Sequence, residues 1–110
     1  MGRQEYFDIG CGLVRDLTLR LLVQGVEVIG TNAWNLDQGF RATKDEFQKM
    51  HCKKVLWRAH FVGAGKEHCQ IENLTNLDSL PRPTGFKVAC FPVNLKRASA
   101  GWVRPVAILK

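Results

Sequence analysis

Residues 13–30 constrain the fold more than any other stretch, because they place a helix, a glycine stop and a strand in immediate succession. Leu13, Val14, Leu17, Leu21 and Leu22 recur at helical spacing, which predicts a helix from Leu13 to Gln24. Gly25 follows as its stop, since glycine takes the left-handed cap conformation without steric cost. Val26-Glu27-Val28-Ile29-Gly30 then reads as a short strand. Helix, tight turn and strand form the second half of a β-α-β unit, and such a unit feeds a parallel sheet. The expected class is α/β. Residues 1–12 are polar and glycine-rich and show no strand to precede the helix. They are read as an irregular amino-terminal segment, with 13–110 as a portion of one domain that begins in mid-fold. An unpaired apolar strand edge is a template for another chain. A homo-oligomer, or a complementary amino-terminal half, is therefore expected as partner.

Further along, Thr31 to Arg41 reads as a loop. Thr43-Lys44-Asp45-Glu46 has the spacing of a capping box, in which the Thr and Glu side chains satisfy free amides at a helix start. Residues 55–61 are ambiguous between helix and strand, and 63–66 form a turn. Gln70-Ile71-Glu72 reads as a strand leading into a helix over 73–80, where Leu74, Leu77 and Leu80 have helical spacing. Two strands, 86–95 and 102–109, close the sequence. Pro92 and Pro105 cannot donate to a ladder, which places them at edges or bulges.

Charge is unevenly distributed. Residues 1–78 carry ten acids and ten bases, whereas the last 32 residues hold Arg82, Lys87, Lys96, Arg97, Arg104, Lys110 and no acid. These cations are spaced along strand-like segments without interleaved stacking aromatics, so they read as a solvated basic face and not as a nucleic-acid site. No run approaches the ~18 apolar residues of a membrane span. The start, Met1-Gly2-Arg3-Gln4-Glu5-Tyr6, has neither an apolar signal core nor the Ser or Thr of a myristoylation signal. A cytoplasmic protein is expected. Cys11, Cys52, Cys69 and Cys90 show no Cys-x-x-Cys spacing and read as reduced core residues, Cys90 above all.

Candidate chemistry is sparse. The pairs His51-Cys52 and His68-Cys69 carry zinc-ligand types but match no common zinc module. His60 closes an apolar, aromatic run, and Glu72 is flanked by Ile71 and Leu74. A carboxylate in apolar surroundings is costly unless paired or metal-bound. Glu72 is thus either a cap for a helix beginning near Leu74 or a metal ligand, and residue chemistry alone leaves both open.

Three blocks in order resemble the carboxy-terminal half of the cyclase family of metal-dependent hydrolases, which includes kynurenine formamidases. They are VEVIGTNAWNLD (26–37), LWRAHFVGAGKEHCQIENLTNLDSL (56–80) and FKVACFPVNLKRASAGWVRPVAIL (86–109). In that family a histidine, then a glutamate twelve residues later followed by x-Leu, supplies the downstream metal ligands. His60, Glu72 and Leu74 fit that pattern. Gly101-Trp102-Val103-Arg104 resembles the glycine-containing turn before the family's last strand. The resemblance implies a partial swivelling β/β/α domain lacking its amino-terminal half. It also implies zinc or manganese held by His60 and Glu72, and hydrolysis of small-molecule amides such as N-formyl aromatic amides.

The family's His-x-Gly-Thr-His-x-Asp-x-Pro-x-His signature does not occur in these 110 residues, and Asn32 and Asn35 stand where the family loop has Asp and Ser. A catalytic zinc normally takes about three protein ligands plus water. The expectation is an arylformamidase-like half-site, inactive alone, with a non-catalytic structural or interaction module as the alternative. No catalytic residue is singled out.

Overall fold

The computed structural model describes residues 3–109; Met1, Gly2 and Lys110, named above for the terminal signals and the charge count, lie outside them. The chain is a mixed helix and strand protein, compatible with the α/β class. It divides into two units, the first ending at Thr75 and the second running from Asn76.

The first unit contains α1 (Arg3–Asp8), α2 (Arg15–Val23), β1 (Val28–Gly30), α3 (Phe40–Met50), α4 (Arg58–Phe61) and β2 (Cys69–Ile71). Short 3-10 turns flank α4 at Lys53–Val55 and Val62–Ala64. The segment read as irregular therefore contains a helix, α1. The helix-glycine-strand reading matches α2, Gly25 and β1, with Gly25 at φ +90°. β1 and β2 pair in parallel, Val28 opposite Cys69 and Gly30 opposite Ile71. Thr31 N–H donates to Ile71 O at 2.9 Å and Leu74 N–H to Thr31 O at 3.0 Å, which carries the pairing past the strand ends.

Leu22, Ile29, Leu36, Ala59 and Val62 form the buried core, with Leu13, Leu19, Leu21 and Val26 packed against it. Burying one such aliphatic side chain contributes roughly 1.5–3 kcal/mol. The core thus joins α2, β1, the loop after β1 and the segment 59–62. Thr18 is fully buried on α2 and satisfies its hydroxyl by donating to Val14 O at 3.2 Å. Among the described residues no buried side-chain polar atom lacks a partner.

Several local readings are corrected. The helix placed at a Thr43 cap has its cap four residues earlier, at Gly39, and begins at Phe40. Thr43 lies inside it, and Glu46 reaches Gln38 and Arg58 instead of a free amide. Phe40 stacks on Trp34 at 4.5 Å and meets Trp57 edge-on at 6.0 Å, contacts that hold the extra turn in place. The helix read over 73–80 is only a 3-10 turn, Leu77–Ser79, because Asn73 and Asn76 both adopt left-handed backbone, which asparagine tolerates. All four cysteines are free, but Cys11 and Cys69 are exposed and Cys90 half-buried, so none is a core residue.

The second unit contains β3 (Lys87–Ala89) and β4 (Val106–Ile108), an antiparallel pair with Val88 opposite Ala107. Pro92 and Pro105 both fall outside the ladder, as their missing N–H requires. No described residue of this unit is buried, and Phe91 and Trp102 are 83% and 78% exposed. Among the described residues no helix is long and apolar enough to cross a membrane.

Candidate functional site

The loop after β1 is pinned at both ends and turned inward. Thr31 Oγ1 accepts from Ala33 N–H at 3.1 Å, and Asn35 Oδ1 accepts from Asp37 N–H at 3.1 Å. Both are local turns of the kind that Thr and Asn side chains make with the backbone two residues on. Asn35, Leu36 and Asp37 are all buried, an unusual place for a loop, because Leu36 enters the core and draws its neighbours with it. Asn35 is thus buried and bonded to the backbone of the loop it stands in.

Asp37 meets the start of α4. Its Oδ1 accepts from Ala59 N–H at 2.7 Å, and its Oδ2 lies 3.3 Å from His60 N and 2.6 Å from His60 Nδ1. The residue preceding α4, Trp57, has left-handed backbone and makes no side-chain cap. Asp37 supplies the cap from across the chain, satisfying amides of the first turn.

Glu72 arrives from the end of β2. Its Oε1 accepts from Leu36 N–H at 2.9 Å and lies 3.3 Å from His60 Nε2. The reading of Glu72 as a cap for a helix near Leu74 is overturned, since no helix starts there and its Oε1 accepts from the loop amide of Leu36 instead. Nor is its setting apolar: the carboxylate is 31% exposed and paired. His60 and Glu72, twelve residues apart, are brought together, and Asp37, which sequence reasoning passed over, joins them. Only the parallel register could have shown this, since it sets Glu72 beside the loop that carries Asp37.

The geometry limits what His60 can do. A neutral imidazole donates from one nitrogen and accepts at the other. With Nδ1 engaged by Asp37, Nε2 presents its lone pair towards Glu72. Two electron-rich atoms facing one another require a proton or a cation between them. Two donors each 2.0–2.2 Å from a tetrahedral zinc are separated by about 3.4 Å, close to the 3.3 Å observed. A carboxylate on the remote nitrogen is also how metal-binding histidines are usually oriented. The 3.3 Å separation therefore suits a proton shared between the two side chains as well as it suits two positions of such an ion's donor set. Among the described residues, however, no group of three or more His, Cys, Asp or Glu side chains is arranged to hold a metal.

An aromatic row leads to this cluster. Phe7, Trp34, Phe40, Trp57 and His60 meet in sequence with ring centroids 4.5–6.0 Å apart. The other histidines stand elsewhere: His51 ends α3 in left-handed backbone, and His68 contacts Lys66 O and Gln70.

Behind the cluster, Arg58 pairs with Glu46, which also accepts from Gln38 Nε2 at 2.9 Å. The hydrogen bond from Arg58 holds the Glu46 carboxyl below the ordinary glutamate range. A folded-state value below the unfolded one stabilises above the unfolded pKa and is lost as pH falls through the folded value. Tryptophan fluorescence against pH should show wild-type stability declining below about pH 4.3, with the decline shallower in Glu46→Gln. Superimposable acid profiles would show that the pair contributes nothing.

No family model matches the sequence, and no curated protein or solved structure matches it either.

Proposed function

We propose that this chain carries the downstream part of a cyclase-family hydrolase site, with His60 and Glu72 as metal ligands and Asp37 as the group that orients His60. The observation that carries this reading is the pairing of a 3.3 Å Nε2 to Oε1 separation with a carboxylate on the opposite ring nitrogen. The parallel β1–β2 pair and the packing of α2 on α4 support the swivelling β/β/α reading of the fold. The aromatic row beside His60 suits a flat aromatic substrate, and the proposed reaction is hydrolysis of a small N-formyl aromatic amide. Zinc or manganese held by His60 and Glu72 would contribute Lewis acidity, lowering the pKa of a water and polarising an amide carbonyl. Two ligands are too few for that chemistry, so the remaining ones come from a partner, a second copy of this chain or a complementary amino-terminal half. Within this chain, Asp37 fixes the ring of His60, and the loop amide of Leu36 fixes Glu72.

One observation favours a second reading, a structural or interaction module. Asp37, His60 and Glu72 already tie the loop after β1 to α4 and to the end of β2 without any ion.

Metal analysis separates the two. The 110-residue chain should hold zinc substoichiometrically and show no formamidase activity. Mixed with a family amino-terminal half bearing the histidine signature, it should take up zinc and hydrolyse a formylated aromatic amine. Glu72→Gln and His60→Ala should lose both. Metal uptake undiminished with both residues replaced would sink the assignment. In the isolated chain Glu72→Gln should change stability by no more than about 1 kcal/mol, because a neutral amide oxygen still accepts from Leu36.

A further inference from the structure

A second concave site lies in the first unit, apart from Asp37, His60 and Glu72. It is a cleft of ≈ 790 Å³ between α2 and the segment 53–66. Its apolar lining comes from Leu19, Leu56, Phe61 and Val62. Its charged lining is Arg15, Lys53, Lys54, Arg58 and Lys66, and no Asp or Glu contributes.

That segregation is produced by folding. Residues 1–78 have equal numbers of acids and bases, yet the cleft gathers cations from three separated stretches and excludes every carboxylate. Arg58 is turned to Glu46, and among the described residues Arg15 pairs only with the highly exposed Asp16, at 3.5 Å. Lys53, Lys54 and Lys66 make no ion pair among the described residues. Like charges gathered around a concave apolar surface repel one another and focus a positive potential into it.

We infer that this cleft binds a soluble organic anion, an apolar body of one or two rings carrying a carboxylate or phosphate. The apolar body lies on Leu19, Leu56, Phe61 and Val62, and the anionic group faces Lys53, Lys54 and Lys66. Ligand sites of roughly 300–1,000 Å³ with an apolar lining and a few polar groups take molecules of this size. A concave apolar floor favours such a compact ligand over a polymer backbone, which tracks along an open basic groove.

Calorimetric titration of the 110-residue chain with 1-naphthyl phosphate tests this, with 1-naphthol and inorganic phosphate as separate arms. Naphthyl phosphate should bind at least about tenfold more tightly than either, and raising salt should weaken it. Lys53→Gln/Lys54→Gln, at exposed positions, should weaken binding about tenfold with an unchanged circular dichroism spectrum. Phe61→Ser, also at an exposed position, should weaken naphthyl phosphate and leave inorganic phosphate unaffected. Equal binding of naphthol, or no loss in the double variant, would overturn the inference. So would preferential binding to phosphatidylserine vesicles or to a single-stranded oligonucleotide, which would mark a membrane or nucleic-acid surface instead.

Discussion

Asp37→Ala should destabilise the chain by about 3 kcal/mol, a large part of the roughly 5–15 kcal/mol available to a small domain. The side chain is only 9% exposed and accepts from Ala59 N–H, with His60 N and Nδ1 on its second oxygen. Removing the carboxylate leaves the buried Ala59 N–H without a partner and strips both contacts from the half-buried His60, and an orphaned buried donor alone costs about 1–3 kcal/mol. Asp37→Asn separates this account from a simple loss of volume. Its amide oxygen still accepts from Ala59, while its amide nitrogen can donate to His60 Nδ1, so the loss should be nearer 1 kcal/mol. The His60 ring should then change tautomer, because Nδ1 becomes the acceptor and Nε2 carries the proton. Urea midpoints measure the first effect and nitrogen NMR of the His60 ring the second. Equal midpoints for the two variants would mean that the carboxylate oxygens hold nothing. An unchanged tautomer in Asp37→Asn would mean that Asp37 does not orient the ring, and the metal reading would lose its main support.

Asp37 also shows where sequence reasoning stops. The helix, glycine and strand at 13–30 were legible because periodicity and a left-handed stop are local properties. His60 and Glu72 were legible as candidates from residue type and from the family resemblance. Their convergence was not, since it depends on β1 and β2 pairing in parallel with Gly30 opposite Ile71. Asp37 lies in a loop with no period to read, and its burial follows from Leu36 entering a core that only the folded chain defines. The capping-box spacing at Thr43 and Glu46 is real, but the aromatic contacts of Phe40 outweigh it and extend α3 by four residues. The leucine spacing at 74, 77 and 80 was equally real. Two left-handed asparagines broke that helix, a choice that periodicity of apolar residues does not register. The basic cleft escaped notice because its cations come from three stretches, each unremarkable in sequence.

Gly12→Ala should be as damaging as Asp37→Ala or worse, although it adds one methyl group at a position with no chemistry. A β-carbon there would stand 2.0 Å from the carbonyl carbon and oxygen of Asp37 and 2.4 Å from Gln38 N. These are backbone atoms, so no side chain can swing aside. Either the loop carrying Asp37 shifts, or the segment before α2 is pushed away. The second course would break Gly39 N–H to Gly10 O, Tyr6 to Asn73, and the edge contact of Phe7 with Trp34. The expected loss is roughly 4 kcal/mol, the range reserved for changes that a packed structure cannot absorb. Gly25 and Gly65 calibrate it. Gly25 has open space around it but a left-handed backbone, so Gly25→Ala should cost about 1 kcal/mol. At Gly65 an added β-carbon meets only Val62 O at 3.7 Å, and Gly65→Ala should lie within about 0.5 kcal/mol of wild type. Chemical denaturation of the three variants gives the ranking, and Trp34 should become more exposed to a soluble quencher in Gly12→Ala alone. A Gly12→Ala midpoint no lower than that of Gly25→Ala would show that the segment before α2 does not lie against the Asp37 loop in solution. Asp37, and through it His60, would then be held by the contacts with Asn35, Ala59 and the core alone.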